Sequence, residues 1–338
     1  MPRTTFAAAI DQALAEAMAR DDRVVVLGED VRTLRRGLYV RFGGTRVLDA
    51  PISEAALLGC ALGSAMAGLR PVVEITFVDF VAVALDQLLN HAAKVEAFSG
   101  GRWRAPLVVR AACGGGYGDA GQHEQALWGL LAGIPGLSVV VPSTPADAAG
   151  LMATAVDHPG PVVFLEHKLL SEYWLDYLGG ARRPGVEFDV PADGAVGDVP
   201  DPVLPVPLGS AVVRRRGDDV ALVSLGVGVH RCLQVAEILA GEGVDAAVLD
   251  LRSVAPLDRR AVTDLAQLTG RVVVVDEDYT RGGLSGEIAA VLAEDGVDAT
   301  YARVTTEGTI PYARRLETAT LPNVSRILTA ARSLTERA

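Results

Sequence analysis

Glu54 is the side chain in this sequence best placed to do chemistry. It opens an uncharged run, Ala55 to Leu69, built mostly from Ala, Gly, Leu, Ser and Cys. The stretch Asp49-Ala-Pro-Ile-Ser-Glu54 reads as the end of a short strand, a turn at Pro51, and a helix with Ser53 as N-cap and Glu54 in its first turn. Small side chains let another backbone come close, so this helix is expected to be buried and tightly packed. A carboxylate at its mouth can hold a proton or a hydrogen bond in a dry setting. The plainer reading is a solvated Glu that complements the helix dipole. The run is too short for a membrane span, which takes about 20 apolar residues.

Two loops add candidates. Gly28-Glu29-Asp30 follows the apolar strand Val24 to Leu27, at the carboxyl end, where open parallel sheets place ligands. Cys113-Gly-Gly-Gly-Tyr-Gly-Asp-Ala-Gly-Gln-His123 follows another strand and packs five glycines into nine residues. Such a backbone turns sharply or lies against a ligand. A phosphate is one possible occupant, but the P-loop lysine and the GxGxxG spacing are both missing. His123 is either a group near reacting atoms or a histidine that starts a helix. Gly226-Val-Gly228 lacks a third glycine and reads as strand-to-helix packing.

The elements that must position these groups alternate. A helix opening at Thr4 or Thr5 carries Phe6, Ile10, Leu14 and Met18 on one face. Strands follow at 24–27, 46–49, 71–75, 106–112, 138–141 and 161–166. Residues 31–45 read as a loop, and 81–98 as one long helix with Asp86, Gln87, Asn90, His91 and Lys94 on its polar side. Ser143-Thr144-Pro145 caps a further helix. Residues 176–208 are rich in Pro and Gly and read as a linker. A second unit then alternates again: strands 220–225, 244–249, 271–275 and 299–304 with helices 229–241, 258–269, 284–294 and one from Asn323. The fold class is α/β, two doubly wound domains with mainly parallel sheets. The domains are 1–175 and 209–338, joined by 176–208.

Composition narrows the function. A chain of 338 residues that is 50% hydrophobic but only 5% aromatic suits buried parallel strands, with some apolar surface covered by another chain. A net charge of -11 excludes nucleic acid as the main partner. Arg214-Arg215-Arg216 reads as a solvated hairpin edge. Cys60, Cys113 and Cys232 form no CxxC pair, which fits a reducing cytoplasm and excludes a zinc site or disulfide framework. The chain runs from Met1 straight into an amphipathic helix, so neither a leader nor a membrane segment is expected.

Taken in order, the pieces resemble one family: the beta subunit of the thiamine-diphosphate-dependent, decarboxylating component of 2-oxo acid dehydrogenase complexes, of pyruvate, branched-chain and acetoin type, in the transketolase superfamily. The matching stretches include Leu27-Gly-Glu-Asp30, Asp49-Ala-Pro-Ile-Ser-Glu54, Phe77-Val-Asp-Phe80, Asn90-His-Ala-Ala-Lys94, Gly121-Gln-His123, Leu251-Arg-Ser-Val-Ala-Pro-Leu-Asp258 and Ile310-Pro-Tyr-Ala313. The resemblance implies a transketolase-like pyrimidine-binding domain followed by a transketolase C-terminal-like domain. It makes Glu54 the carboxylate that bonds the aminopyrimidine ring of thiamine diphosphate and favours its proton-accepting tautomer. Phe80 packs against that ring, and Glu29 and Ile52 line the same pocket. His123 assists the intermediates and acyl transfer to lipoyl. The chain has no Gly-Asp-Gly motif, so magnesium and the diphosphate are expected on an alpha subunit, in an α2β2 heterotetramer. The second domain would supply the β–β contact and the docking surface for a lipoyl acyltransferase.

Departures bear on substrate and ions. Arg32, Arg35 and Arg36 occupy a shortened loop, and His158 beside Asp157 stands where relatives hold potassium with an aspartate. The expected activity is oxidative decarboxylation of a 2-oxo acid, pyruvate or a branched-chain one, in the cytoplasm. Two alternatives remain: transfer of a two-carbon unit from a ketose phosphate to a carrier protein, with the extra arginines serving the phosphate, and a non-catalytic scaffold subunit.

Overall fold

The computed structural model describes residues 3–178 and 188–336. The first half runs β1 (Arg3–Thr5), α1 (Phe6–Arg20), β2 (Val24–Gly28), α2 (Val31–Leu34), α3 (Arg36–Phe42), β3 (Val47–Asp49), α4 (Glu54–Met66) and β4 (Arg70–Phe77). A 3-10 stretch (Val78–Ala84) and a π-helical one (Gln87–Ala92) lead to α5 (Val95–Phe98) and β5 (Val108–Cys113). Then come α6 (Trp128–Ala132), β6 (Ser138–Val140), α7 (Pro145–Asp157), β7 (Val162–His167) and α8 (Glu172–Leu178). The second half runs α9 (Ala192–Ala195), β8 (Val196–Asp198), β9 (Val212–Arg215), β10 (Val220–Ser224), α10 (Val227–Gly241), β11 (Ala246–Asp250) and β12 (Ser253–Ala255). It closes with α11 (Arg259–Thr269), β13 (Arg271–Tyr279), α12 (Leu284–Glu294), β14 (Thr300–Thr306), α13 (Arg314–Thr320) and α14 (Val324–Thr335).

Two mainly parallel sheets result. The first has the order β12-β6-β7-β5-β4-β2-β3, and only β12 runs antiparallel. The second has the order β14-β13-β10-β11-β9, and only β9 runs antiparallel. Every residue of β2, β5 and β7 is buried, as strands covered on both faces must be. Val24 and Val26 pack toward α1 and α7, while Val25 and Leu27 pack toward α4. The α4 side of this core is continuous with the second sheet through Val139, Val141, Val223 and Leu249. The chain reverses its progress across the first sheet between β2 and β4, which opens a crevice at their carboxyl ends.

Caps and corners show where local rules operate. Thr144 Oγ1 accepts from the Asp147 N–H (3.2 Å) with Pro145 at the first helical position, as the sequence indicates. Ser53 occupies the N-cap position of α4, but its side chain caps nothing. The α1 end is closed from a distance: Glu172 accepts from the N–H groups of Ala7 (3.0 Å) and Ala8 (3.2 Å), and Thr5 Oγ1 donates to it.

Several expectations need correction. Residues 31–45 are not simply a loop, because Val31, Leu34 and Leu38 anchor α2 and α3 at helical spacing. The basic residues hid that pattern, since Arg35 is itself a core residue. The expected helix 81–98 is broken into three pieces; Val81, Ala84, Leu88 and Ala92 face the core, a pattern that does not distinguish 3-10, α and π winding. The α4 helix is buried on one face only: Leu57, Leu58, Ala61 and Ala65 are inside, while Ala56, Cys60, Gly63 and Ala67 are exposed. The expected linker contains α9 and β8, and β8 pairs with β1. Its residues 179–187 lie outside the described residues. Arg214 and Arg215 are ion-paired on an edge strand, with Asp250 (2.7 Å) and Asp245 (2.8 Å).

Candidate active site

Four of the five expected site residues line one cleft. It has a volume of about 330 Å³ and is bounded by Glu29, Asp30, Leu34, Ile52, Glu54, Thr76, Phe77, Phe80 and Trp174. Topology explains the set. Glu29 and Asp30 leave β2, Ile52 and Glu54 leave β3, and Thr76 and Phe77 end β4, so the cleft occupies the crevice where the strand order reverses. Phe80 is half-buried against this space and is not an interior core residue.

Glu54 stands at the first position of α4, half-buried. Among the described residues no donor is bonded to its carboxylate, nor to that of Glu29. Burial raises the Glu29 carboxyl above its usual range, and the Asp30 and Glu54 charges add to this. Two carboxylates that share a partly dry cleft with three aromatic rings leave their hydrogen-bonding capacity for an outside group. A group with N–H or O–H donors on one edge and a flat apolar face would meet both features.

His123 does not line the cleft. Its half-buried ring stands edge-on to Phe77 (5.3 Å between centroids) and Phe80 (5.7 Å), beside these two wall residues. It ends a short 3-10 turn (Ala120–Gln122) and starts no helix. Trp174, in α8, packs on Phe77 at 5.4 Å and belongs to none of the motifs in the sequence. It lies at the edge of the expected linker, where nothing local marks a site residue.

The glycine-rich loop holds carboxylates, not phosphate. Gly115 N donates to Glu277 Oε1 (2.6 Å), and Gly116 N and Gly118 N donate to Glu317 Oε1 (2.9 and 3.1 Å). Tyr117 N and Asp119 N donate to Glu124 Oε1 (3.0 and 2.9 Å). Leu321 packs directly over Gly115, where any side chain would collide with it. Glu277 and Glu317 come from the second half of the chain, so the loop is a buckle between domains. Burial alone would raise the Glu277 carboxyl, but the His167 ring (3.1 Å), the Arg231 guanidinium (3.8 Å) and the Gly115 N–H hold it at about 2.

Two of the three arginines of the shortened loop, Arg35 and Arg32, are engaged, and Arg36 is exposed. Arg35 is fully buried, with its Nε and Nη2 donating to both oxygens of Glu74 (2.8 to 3.0 Å) and its guanidinium over the Tyr173 ring. Arg110 bonds Glu166 (2.8 Å) and lies 3.5 Å from Glu74, which extends the network beneath the cleft floor. Arg32 lies 3.7 Å from Asp49 and donates to the Val47 carbonyl. At the position considered for potassium, Asp157 is paired with Arg20 (2.8 Å), while Arg70 Nη1 donates to the carbonyls of Val156 (2.8 Å) and His158 (3.4 Å). Among the described residues no group of three or more His, Cys, Asp or Glu side chains is set to hold a metal ion. The three cysteines are free, Cys60 exposed and the other two buried. No described helix is long and apolar enough to cross a membrane.

Comparison with known proteins matches this architecture twice over. The family "transketolase, pyrimidine binding domain" matches residues 3–172, and "transketolase, C-terminal domain" matches residues 209–327. The 2-oxoisovalerate dehydrogenase subunit beta of Bacillus subtilis is 40% identical over 97% of this chain and 97% of its own. The acetoin:2,6-dichlorophenolindophenol oxidoreductase subunit beta of Cupriavidus necator is 37% identical over 96% of this chain and 95% of its own. The pyruvate dehydrogenase E1 component subunit beta of Rickettsia conorii is 34% identical over 98% of both. Among solved structures, a split-gene transketolase described as an inactive beta4 tetramer has a TM-score of 0.78 at 23% identity over 98% of both chains, a likeness of fold.

Proposed function

This chain belongs to the transketolase-type beta subunits of thiamine-diphosphate-dependent 2-oxo acid dehydrogenases, which work together with an alpha subunit, and on that premise we propose the role of each group in the cleft. The observation that carries the assignment is Glu54: a half-buried carboxylate without a bonded partner among the described residues, opening into an aromatic-walled cleft at the strand crossover. An aminopyrimidine fits these acceptors and rings, since it offers a flat apolar face and an edge with N–H groups. Bound there, thiamine diphosphate supplies a nucleophilic carbon and an electron sink for decarboxylation.

The chain's own residues do the following. Glu54 accepts or shares a proton at the ring nitrogen facing it, an interaction strengthened by the dry wall of Phe77, Phe80 and Trp174. Phe80 and Ile52 hold the ring in plane. Glu29, which retains its proton more readily than an ordinary glutamate, can stand beside Glu54 without full charge repulsion. His123 works from the edge of the cleft on the acyl fragment.

The missing Gly-Asp-Gly motif supports placing magnesium and the diphosphate on the alpha subunit, in an α2β2 heterotetramer. The exposed small-residue face of α4, with Ile52 at 73% and Val83 at 59% exposure beside it, supports close packing of that partner at the cleft. A lipoyl acyltransferase receives the acyl group. The substrate is a 2-oxo acid, pyruvate or a branched-chain one. The three free thiols support a reducing cytoplasm as the location. The engagement of Arg35 and Arg32 weighs against their use as a ketose-phosphate site.

Glu54→Gln in the coexpressed complex tests the assignment. Turnover is expected to fall at least about 100-fold with assembly intact; retained turnover overturns the role given to Glu54. A pull-down of the tagged chain tests the partners: a stoichiometric chain carrying Gly-Asp-Gly together with a lipoyl acyltransferase is expected, and no such chain refutes the split site.

A further inference from the structure

Behind the aromatic wall lies a cation that the cleft itself does not use. Lys168 directly follows β7 and is fully buried. Its backbone N–H donates to the Cys113 carbonyl (3.0 Å), which seats it beside the start of the glycine-rich loop. Its Nζ lies 5.0 Å from the centroid of Phe77 and 5.6 Å from that of Tyr117, and it donates to the carbonyl of His123. Among the described residues no carboxylate forms an ion pair with it. A lysine ordinarily keeps its ammonium in water, and burying it is costly unless its charge is met. Here it is met by two ring faces and one carbonyl; burial lowers its pKa from the usual lysine range, and the acidic groups further away, Glu124, Asp79 and Asp119, oppose that.

The remainder of the loop is fixed from both sides. Four consecutive N–H groups, Gly116 to Asp119, go alternately to Glu317 and Glu124. Burial pushes the Glu124 carboxyl up to about 8, and the Glu317 carboxyl beside it adds to this. What these bonds leave open is the far end of the loop, where His123 stands. Among the described residues the His123 backbone itself is held by its N–H bond to Ala120 O (3.0 Å) and by the Lys168 contact, while Gly121 N donates to Ile310 O (2.9 Å) and Gln125 N to Asp79 Oδ1 (3.4 Å) on either side, and the His123 ring Nδ1 lies 3.5 Å from the Asp119 carbonyl.

We propose that Lys168 is a positioning residue for His123: its ammonium ties the His123 carbonyl to the back of Phe77 and so fixes where the imidazole stands at the edge of the cleft. The proposal rests on the role given to His123 above. Lys168 does not line the cleft itself; it meets the site through the His123 carbonyl and through the Phe77 ring, and the artificial-acceptor assay separates the two routes.

The test uses the coexpressed complex and two assays: acyl transfer to a lipoyl carrier, and turnover with an artificial electron acceptor. Lys168→Met keeps the stem and removes the donor. It is expected to lower kcat for acyl transfer on the order of 10- to 100-fold, the scale of a small misplacement of a reacting group. The KM for the carrier and the artificial-acceptor rate should stay within about twofold. Lys168→Arg should recover most of the loss, and Lys168→Met should cost nothing further in a His123→Ala background. An unchanged kcat, or losses that multiply in the double variant, overturns the proposal. If His123→Ala alone leaves acyl transfer intact, the reading of His123 falls and the proposal with it; if His123→Ala is damaging and Lys168→Met is not, the proposal alone falls. Should the Met variant fail to assemble, Lys168→Gln, a shorter neutral donor, is judged on the same kcat and KM split.

Discussion

Replacing Glu277 by Gln should cost about 3 kcal/mol of stability at pH 7. Glu277 is buried at the domain seam, where it accepts from Gly115 N and His167 and faces Arg231. These partners hold its carboxyl at about 2 against an ordinary 4.5, which at about 1.4 kcal/mol per pH unit gives about 3 kcal/mol. An independent route agrees: removing one partner of a buried ion pair, and leaving His167 and Arg231 without their counter-charge, typically costs about 3–5 kcal/mol. The pH dependence follows. Because the folded carboxyl sits below its unfolded value, its stabilisation is complete above roughly pH 4.5 and is lost as pH falls toward about 2. By pH 3 less than about half of it should remain. Urea unfolding of wild type and Glu277→Gln at pH 7, 4 and 3 measures the difference. A gap under about 1 kcal/mol at pH 7, or one that does not shrink on acidification, would refute the electrostatic account of the buckle.

Arg35→Met should destabilise the chain by about 3–5 kcal/mol, because Glu74 keeps its buried charge with only Arg110 at 3.5 Å to meet it. The double variant Arg35→Met, Glu74→Leu should recover part of that loss in the same unfolding assay; a single variant at wild-type stability would contradict the network. The melting temperature should be the same in potassium and sodium chloride, since Arg70 already serves the carbonyls of Val156 and His158 and Arg20 engages Asp157. A stabilisation specific to potassium would show that these groups bind the ion after all.

What the sequence revealed follows the range of the physics involved. Strands such as Val24 to Leu27 are apolar on both faces, and that pattern is local. So are the Thr144-Pro145 cap and the first-turn position of Glu54. The groups gathered in the cleft were legible through their place at strand ends and the resemblance of their motifs, not through spacing. Long-range pairings were not legible. Arg35 looked like a loop charge because its partner, Glu74, lies a strand away. The glycines were recognised as needing something close to the backbone, but that something, Glu277 and Glu317, comes from far along the chain. Lys168 carried no local signal, since a lone lysine after a strand ordinarily faces water. The small-residue run of α4 reads as buried, because one chain's sequence does not separate a face packed inside from a face left exposed.

The strand β12 gives the fold a temporal order. It lies beyond residue 250 yet completes the edge of the first sheet against β6, through Ser253 with Val140 and Ala255 with Val139. While the chain is being synthesised, the N-terminal half therefore emerges with the open edge of β6 unprotected and its glycine-rich loop lacking Glu277 and Glu317. Open edges recruit other strands, and pairings this distant are slow to form. The nascent chain thus spends the synthesis of its second half in its most association-prone state, and truncation anywhere before Ser253 would leave the first sheet without its final strand.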